Sequence, residues 1–205
     1  MARLDTLFVT RIKRSELGAR SPPLLAGLKA TCLAIADEDR AGQSWCRAHA
    51  YRGYTSYASL NDLTRRASVF DELARRITPR VNAFARSLDL DLAGRRLSLD
   101  SLWINVLEPG GHHAAHIHPH SVISGTFYVD VPKGASAIRF EDPRLPQMMA
   151  APPRKAGARL ANRTFVSVEP KAGTLLLWES WLRHDVPLNN ARRPRISLSF
   201  NYRWD

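Results

Sequence analysis

The sequence predicts a mainly β protein with N-terminal helices, its second half folded as a double-sheet jelly roll. Three observations carry that reading. Apolar residues recur at helical spacing in the first part of the chain and alternate every second residue from Leu97 onward. Eight short alternating segments, separated by Pro, Gly and Asn, fill the second half, a density of turns that suits a closed pair of sheets. No repeat, low-complexity tract or compositional break divides the 205 residues, so one domain over 1–205 is expected, with 1–95 packed as a strand and helices on a 96–205 core.

Taken in order, Leu7 to Ile12 reads as a short edge strand. Ser21 with Pro22 gives an N-cap and first-turn signal ahead of Leu24, Leu25, Leu28, Cys32 and Ile35, whose spacing predicts an amphipathic helix. A loop rich in Tyr and Gly follows (Tyr51, Gly53, Tyr54, Tyr57), placed either to line a site or to pack its rings on the core. Ser68 opens a second helix with the apolar face Phe70, Leu73, Ile77, Val81, Phe84 and Leu88, and Pro79 is expected to kink it. The eight strand candidates are 99–107, 114–118, 122–131, 137–141, 164–168, 174–178, 183–186 and 195–203. Trp103, Trp178 and Trp181 read as core. The long connection from Pro143 to Arg163 carries Arg144, Arg154, Lys155, Arg159 and Arg163 without an acidic residue, which fits both a solvated basic loop and a lid over a substrate.

With 44% apolar and 24% charged residues, the composition excludes disorder and collagen-like repeats. No apolar run is long enough to cross a bilayer and the first residues are charged where a signal peptide needs an apolar stretch, so the cytoplasm is the expected compartment and no membrane is a partner. Cys32 and Cys46 lack a CxxC spacing and read as reduced and structural. The net charge of +11 attracts anions, and only five of the 30 basic residues are lysines, so the charge is carried by guanidinium groups that suit carboxylate and phosphate alike. No basic run is interleaved with aromatics, which disfavours nucleic acid as the partner.

Five of the seven histidines fall in GGHHAAHIHPH, between positions 112 and 120. A metal site needs neutral imidazoles projecting from one face, and His116 and His118, two apart on a strand, point to the same side. His113 is out of phase and His112 sits in a turn, so the third ligand is expected from a neighbouring strand, where His184 stands. On the last strand, eleven residues after His184, Arg195 and Ser197 share a face and can together bind a carboxylate inside the barrel. A salt bridge from Arg195 to Asp185 or Glu179 is the plainer alternative.

Here the sequence resembles a known family. HxH, a distant His, then Arg-x-Ser on the final strand is similar to the 2-oxoglutarate and Fe(II)-dependent dioxygenase superfamily. LFVTRI, GYTSYASLNDL, HIHPHSVISGTFYVDVP, EDPR, PKAGTLLLWESWLRHDV and RISLSFN resemble a small bacterial branch of 2-oxoglutarate oxygenases. The resemblance implies a double-stranded β-helix core, Fe(II) and the cosubstrate 2-oxoglutarate, oxidative decarboxylation of that cosubstrate to succinate, and hydroxylation of a substrate it does not name. His116 and His184 match its iron ligands, and Arg195 with Ser197 matches the pair holding the distal carboxylate of 2-oxoglutarate. The chain departs from the superfamily at the second ligand position, where His118 replaces Asp or Glu; either His118 ligates or a carboxylate such as Asp185 or Asp142 completes the set. Asn105, Thr126 and Tyr128 can face the same cavity, and Tyr128 either bonds the cosubstrate or packs in the wall.

Two rivals stand beside this reading. A cupin-like three-His metalloenzyme shares the jelly roll and Gly110 ahead of His116-x-His118, but no Glu follows His118 at the required spacing and the PxG of its second motif is absent. A basic module binding nucleic acid or acidic ligands would bind in a salt-sensitive way that survives loss of His116.

Overall fold

The computed structural model describes residues 2–17 and 21–205. Ten strands form two sheets: β1 (Lys13–Glu16), β2 (Gly53–Thr55), β3 (Leu97–Leu107), β4 (His113–His116), β5 (Ile123–Asp130), β6 (Ile138–Glu141), β7 (Phe165–Val168), β8 (Thr174–Glu179), β9 (His184–Val186) and β10 (Arg195–Trp204). The larger sheet has the order β1-β8-β5-β10-β3-β2 and the smaller β4-β9-β6-β7, every pair antiparallel. All eight segments expected from the alternation are strands, and from β3 to β10 the chain crosses between the sheets at every step except the β6–β7 hairpin, which stays in the smaller one.

The larger sheet is buried on both faces. Ile123 and Phe127 of β5, Ile196, Leu198 and Phe200 of β10 and Leu175 and Leu177 of β8 join one core beneath the helices α1 (Pro22–Glu38), α2 (Arg40–Ala48) and α3 (Ser68–Ser87). The alternate residues Tyr128, Leu176, Trp178 and Leu107 turn the other way and meet Ile138, Phe140 and Val186 of the smaller sheet. Period-2 side chains thus split each central strand between a helix-facing core and the jelly-roll interior. The interior, between the sheets, is where the polar residues of β3, β5 and β10 point.

The N-terminal part departs from expectation in four places. The edge strand lies at Lys13–Glu16, not Leu7 to Ile12; Leu7, Phe8 and Val9 are exposed and Phe8 has φ +55°, which breaks an extended run. Ser21 precedes α1 without a side-chain cap bond, because its hydroxyl accepts from Arg76 Nη1 at 2.8 Å. α3 runs through Pro79 as one helix. α2, which the spacing did not predict, is capped by Asp39, whose carboxylate accepts from the Gly42 N–H at 2.9 Å and from the Tyr54 hydroxyl at 2.8 Å. Cys32 and Cys46 are free and buried, as expected, and burial pushes the Cys32 thiol up to about 12. Trp181 is the exception among the three tryptophans read as core, being 47% exposed. Among the described residues, no helix is long and apolar enough to cross a membrane.

Candidate metal and anion site

β4 and β9 are neighbours in the smaller sheet, and their register sets His116 directly opposite His184. His118 falls just beyond the strand, since Pro119 cannot donate to a ladder. Its own N–H donates to Ser180 O at 3.0 Å, which ties the turn to the end of β8 and swings the imidazole back over its neighbours. The three histidines converge, with one ligand nitrogen from each lying within 4.8 Å of the others and the Nε2 atoms of His118 and His184 at 3.4 Å.

The tautomers follow from the partners. His184 Nδ1 donates to Leu182 O at 2.8 Å and His116 Nδ1 donates to Ala114 O at 2.6 Å, because a carbonyl only accepts. Both Nε2 lone pairs are therefore free to face the cluster. Burial, reinforced by the neighbouring His116, lowers His184 to about 3 and His118 to about 4, so these rings are neutral, the form a metal requires. Three lone-pair nitrogens crowded in this way fit a divalent metal ion. Neither carboxylate weighed as an alternative takes part: Asp185 is held by Arg139 in a two-pronged pair at 3.0 and 2.6 Å, and Asp142 by Arg144 at 3.0 and 2.8 Å. Alternation along β9 explains the first case, turning His184 inward and Asp185 outward.

The floor of the same cavity is cationic. Arg195, at the start of β10, is 3% exposed; its Nη1 donates to Ser136 O at 2.9 Å, while its Nε is buried without an acceptor. The salt bridge weighed from sequence, to Asp185 or Glu179, is not made, and among the described residues no carboxylate pairs with Arg195. Its guanidinium lies 5.7 Å from the centre of the Tyr128 ring, and burial pulls its affinity for the proton down while Tyr128 and Tyr51 oppose that. A buried cation with an unpaired donor is costly unless an anion completes it. Ser197, two residues on, is buried on the same inward face.

The cavity holding both groups measures about 500 Å3, within the range of small-molecule sites. Tyr128, Thr126 and Asn105 all line it. Asn105 is already bonded, its Oδ1 accepting from Thr55 Oγ1 at 2.9 Å and its Nδ2 donating to Ser199 Oγ at 3.0 Å, so it stiffens the wall. The Tyr-rich loop divides between its two readings: Tyr51 and Tyr57 line the cavity, whereas Tyr54 is buried in the helix-side core. Sequence reasoning missed Trp45 and His49 of the α2 region, stacked at 4.1 Å, because the helix that places them was not predicted. It also set aside His113, whose Nε2 shares a 3.1 Å hydrogen bond with Tyr51 Oη and which burial and Arg195 lower to about 3. The basic connection from Pro143 to Arg163 is exposed for most of its length and lines no part of the cavity.

Fold and site together define a jelly roll whose cavity sets three candidate metal ligands beside a buried, unpaired cation. The family model described as "Putative 2OG-Fe(II) oxygenase" matches residues 101–201, the stretch that carries His116, His118, His184, Arg195 and Ser197, and the chain belongs to that 2OG-Fe(II) oxygenase family. Solved structures similar in fold include a Pseudomonas putida prolyl-4-hydroxylase, 17% identical with a TM-score of 0.63 over 96% of this chain and 94% of that one. The epimerase SnoN from nogalamycin biosynthesis is 18% identical, TM-score 0.63, over 95% and 76%. HygX from Streptomyces hygroscopicus, with nickel and 2-oxoglutarate bound, is 13% identical, TM-score 0.58, over 94% and 82%. No curated protein matches the chain in sequence.

Proposed function

We propose that this oxygenase uses Fe(II) and 2-oxoglutarate to hydroxylate a small molecule: 2-oxoglutarate, O2 and R–H become succinate, CO2 and R–OH. The observation that carries the reading is the pairing, in one cavity, of three converging imidazoles with a buried guanidinium that lacks a carboxylate. His116, His118 and His184 hold the iron, which when bound supplies the redox chemistry that couples decarboxylation to hydroxylation. Two of these rings are oriented by their backbone carbonyl partners, so little reorganisation is needed to present the Nε2 lone pairs. With His118 where related sequences place a carboxylate, the protein contributes no negative charge to the ligand set, which favours a dianionic cosubstrate.

Arg195 and Ser197 take the distal carboxylate of 2-oxoglutarate, and that contact satisfies the unpaired Nε. Tyr128 packs against the guanidinium and excludes water from it, and Thr126 adds a hydroxyl to the wall beside Tyr128. Anaerobic addition of Fe(II) and then 2-oxoglutarate tests the assignment through the weak visible charge-transfer band of a chelated 2-oxo acid. The band is expected in the wild type and lost in both His184→Ala and Arg195→Gln. Metal binding without a band, or a band indifferent to Arg195→Gln, would overturn the cosubstrate site.

A further inference from the structure

The cavity extends outward from the Arg195 floor to a rim made by residues that are themselves exposed, among them His49, Arg52, Tyr57, His112 and Ile117. Not one Asp or Glu lines it at either level. Arg52 is its second arginine, set on the loop between α2 and β2, and among the described residues its guanidinium makes no hydrogen bond or ion pair. Arg66, Arg76, Arg139, Arg144 and Arg203, by contrast, each hold a carboxylate. The position of Arg52 is built. Its guanidinium lies over Gly110, where a Cβ would come within 3.1 Å of Nη1, and Gly110 has φ +76°, a conformation side chains rarely adopt. Between rim and floor stand flat apolar surfaces: Trp45 stacked on His49, and Tyr57 set edge-on to Trp103 at 5.2 Å.

We propose that the substrate is a small organic acid with a flat apolar body, its carboxylate taken by Arg52 at the rim and its body packed between Trp45, Tyr57 and Trp103. This rests on the assignment of Arg195 to 2-oxoglutarate, which leaves Arg52 as the free cation of the cavity. Aromatic walls bind such a body whatever its charge, so they set affinity, and the guanidinium sets the preference for an acid. A cavity without carboxylates disfavours cations, since an ammonium group would be desolvated beside a guanidinium with no negative side chain to compensate. The target C–H then lies on the end of the molecule opposite the carboxylate, toward the three histidines.

The test uses the whole protein loaded with Zn(II) and 2-oxoglutarate, a combination that does not turn over, and titrates it with 3-phenylpropionate, 3-phenylpropanamide and 3-phenylpropylamine by ligand-observed NMR. The acid is expected to bind at least about tenfold more tightly than the amide, and the amine not at all. Arg52→Gln should bring acid and amide to equal affinity, Arg52→Lys should keep part of the preference, and Tyr57→Ala should weaken both probes together. Equal binding of acid and amide by the wild type, no binding of the acid, or a preference that survives Arg52→Gln would overturn the proposal. The affinity for 2-oxoglutarate is read in the same samples before each probe is added, so failure of the cosubstrate site appears as a separate result.

Discussion

Arg195 puts function and stability in opposition at one side chain. Burying a guanidinium whose Nε finds no acceptor raises the free energy of the ligand-free fold, and in the proposed function the same unmet donor takes the cosubstrate's carboxylate. Replacing a buried, uncompensated charge by an apolar group of similar length is neutral or stabilising when no partner charge is left behind. Arg195 leaves none, since its one bond goes to the Ser136 carbonyl. Arg195→Met is therefore expected to melt at the same temperature as the wild type or above it without ligand, while losing at least about 100-fold in 2-oxoglutarate affinity, the effect of removing a charge-assisted bidentate contact. Thermal melts with and without 2-oxoglutarate separate the two effects, and a variant that is both less stable and still stabilised by the ligand would contradict the argument. Much of this site was legible residue by residue. The place of His184 opposite His116 and the Arg-x-Ser alternation follow from strand geometry, because a two-residue period fixes which side chains share a face, whereas His118 reaches the cluster from the turn after β4 and not from the strand its spacing suggested. Arg52, Trp45 and His113 were not legible as site residues, because a loop, a short helix and a bulged strand place them, and no periodicity reports where those deliver a side chain.

At the scale of elements, the strands of the second half could be read because the larger sheet buries both faces and still alternates: apolar residues face the helices, and mixed polar and aromatic residues face the interior. α2 escaped because Gly42, Gln43 and Ser44 interrupt its apolar spacing, and its stability comes from the Asp39 cap and from Cys46 packing beneath β2. The same close packing makes β5 sensitive at its centre. A Cβ on Gly125 would stand 2.6 Å from the Leu176 carbonyl of the adjacent strand and collide with the Phe200 ring. The carbonyl is fixed by the ladder between β5 and β8, so the strands themselves must move apart. Gly125→Ala is expected to cost about 1–3 kcal/mol by overpacking, read as a lower midpoint in urea. Phe200→Leu in that background should recover part of the loss, whereas no effect of Gly125→Ala would mean that the strands separate easily there.

For the whole molecule, a net charge of +11 creates a field that concentrates anions near the surface, but its reach depends on salt. The connection from Pro143 to Arg163 carries five of the positive charges, one of them, Arg144, neutralised by Asp142, and none lines the cavity. Charges acting only through the field are screened over about 8 Å at physiological ionic strength but reach about 30 Å at 0.01 M. A loop that closes over the cavity would instead make contacts, and contacts largely survive added salt. Replacing Arg154, Lys155 and Arg159 together by Ala therefore has a two-part expected outcome. At 0.15 M salt the association rate and affinity for 2-oxoglutarate should match the wild type within about twofold, and at 0.01 M the association rate should fall severalfold. Stopped-flow measurement at both ionic strengths checks it. An equal loss at both would show that the loop touches the bound ligand and would restore the lid that the exposed conformation argues against.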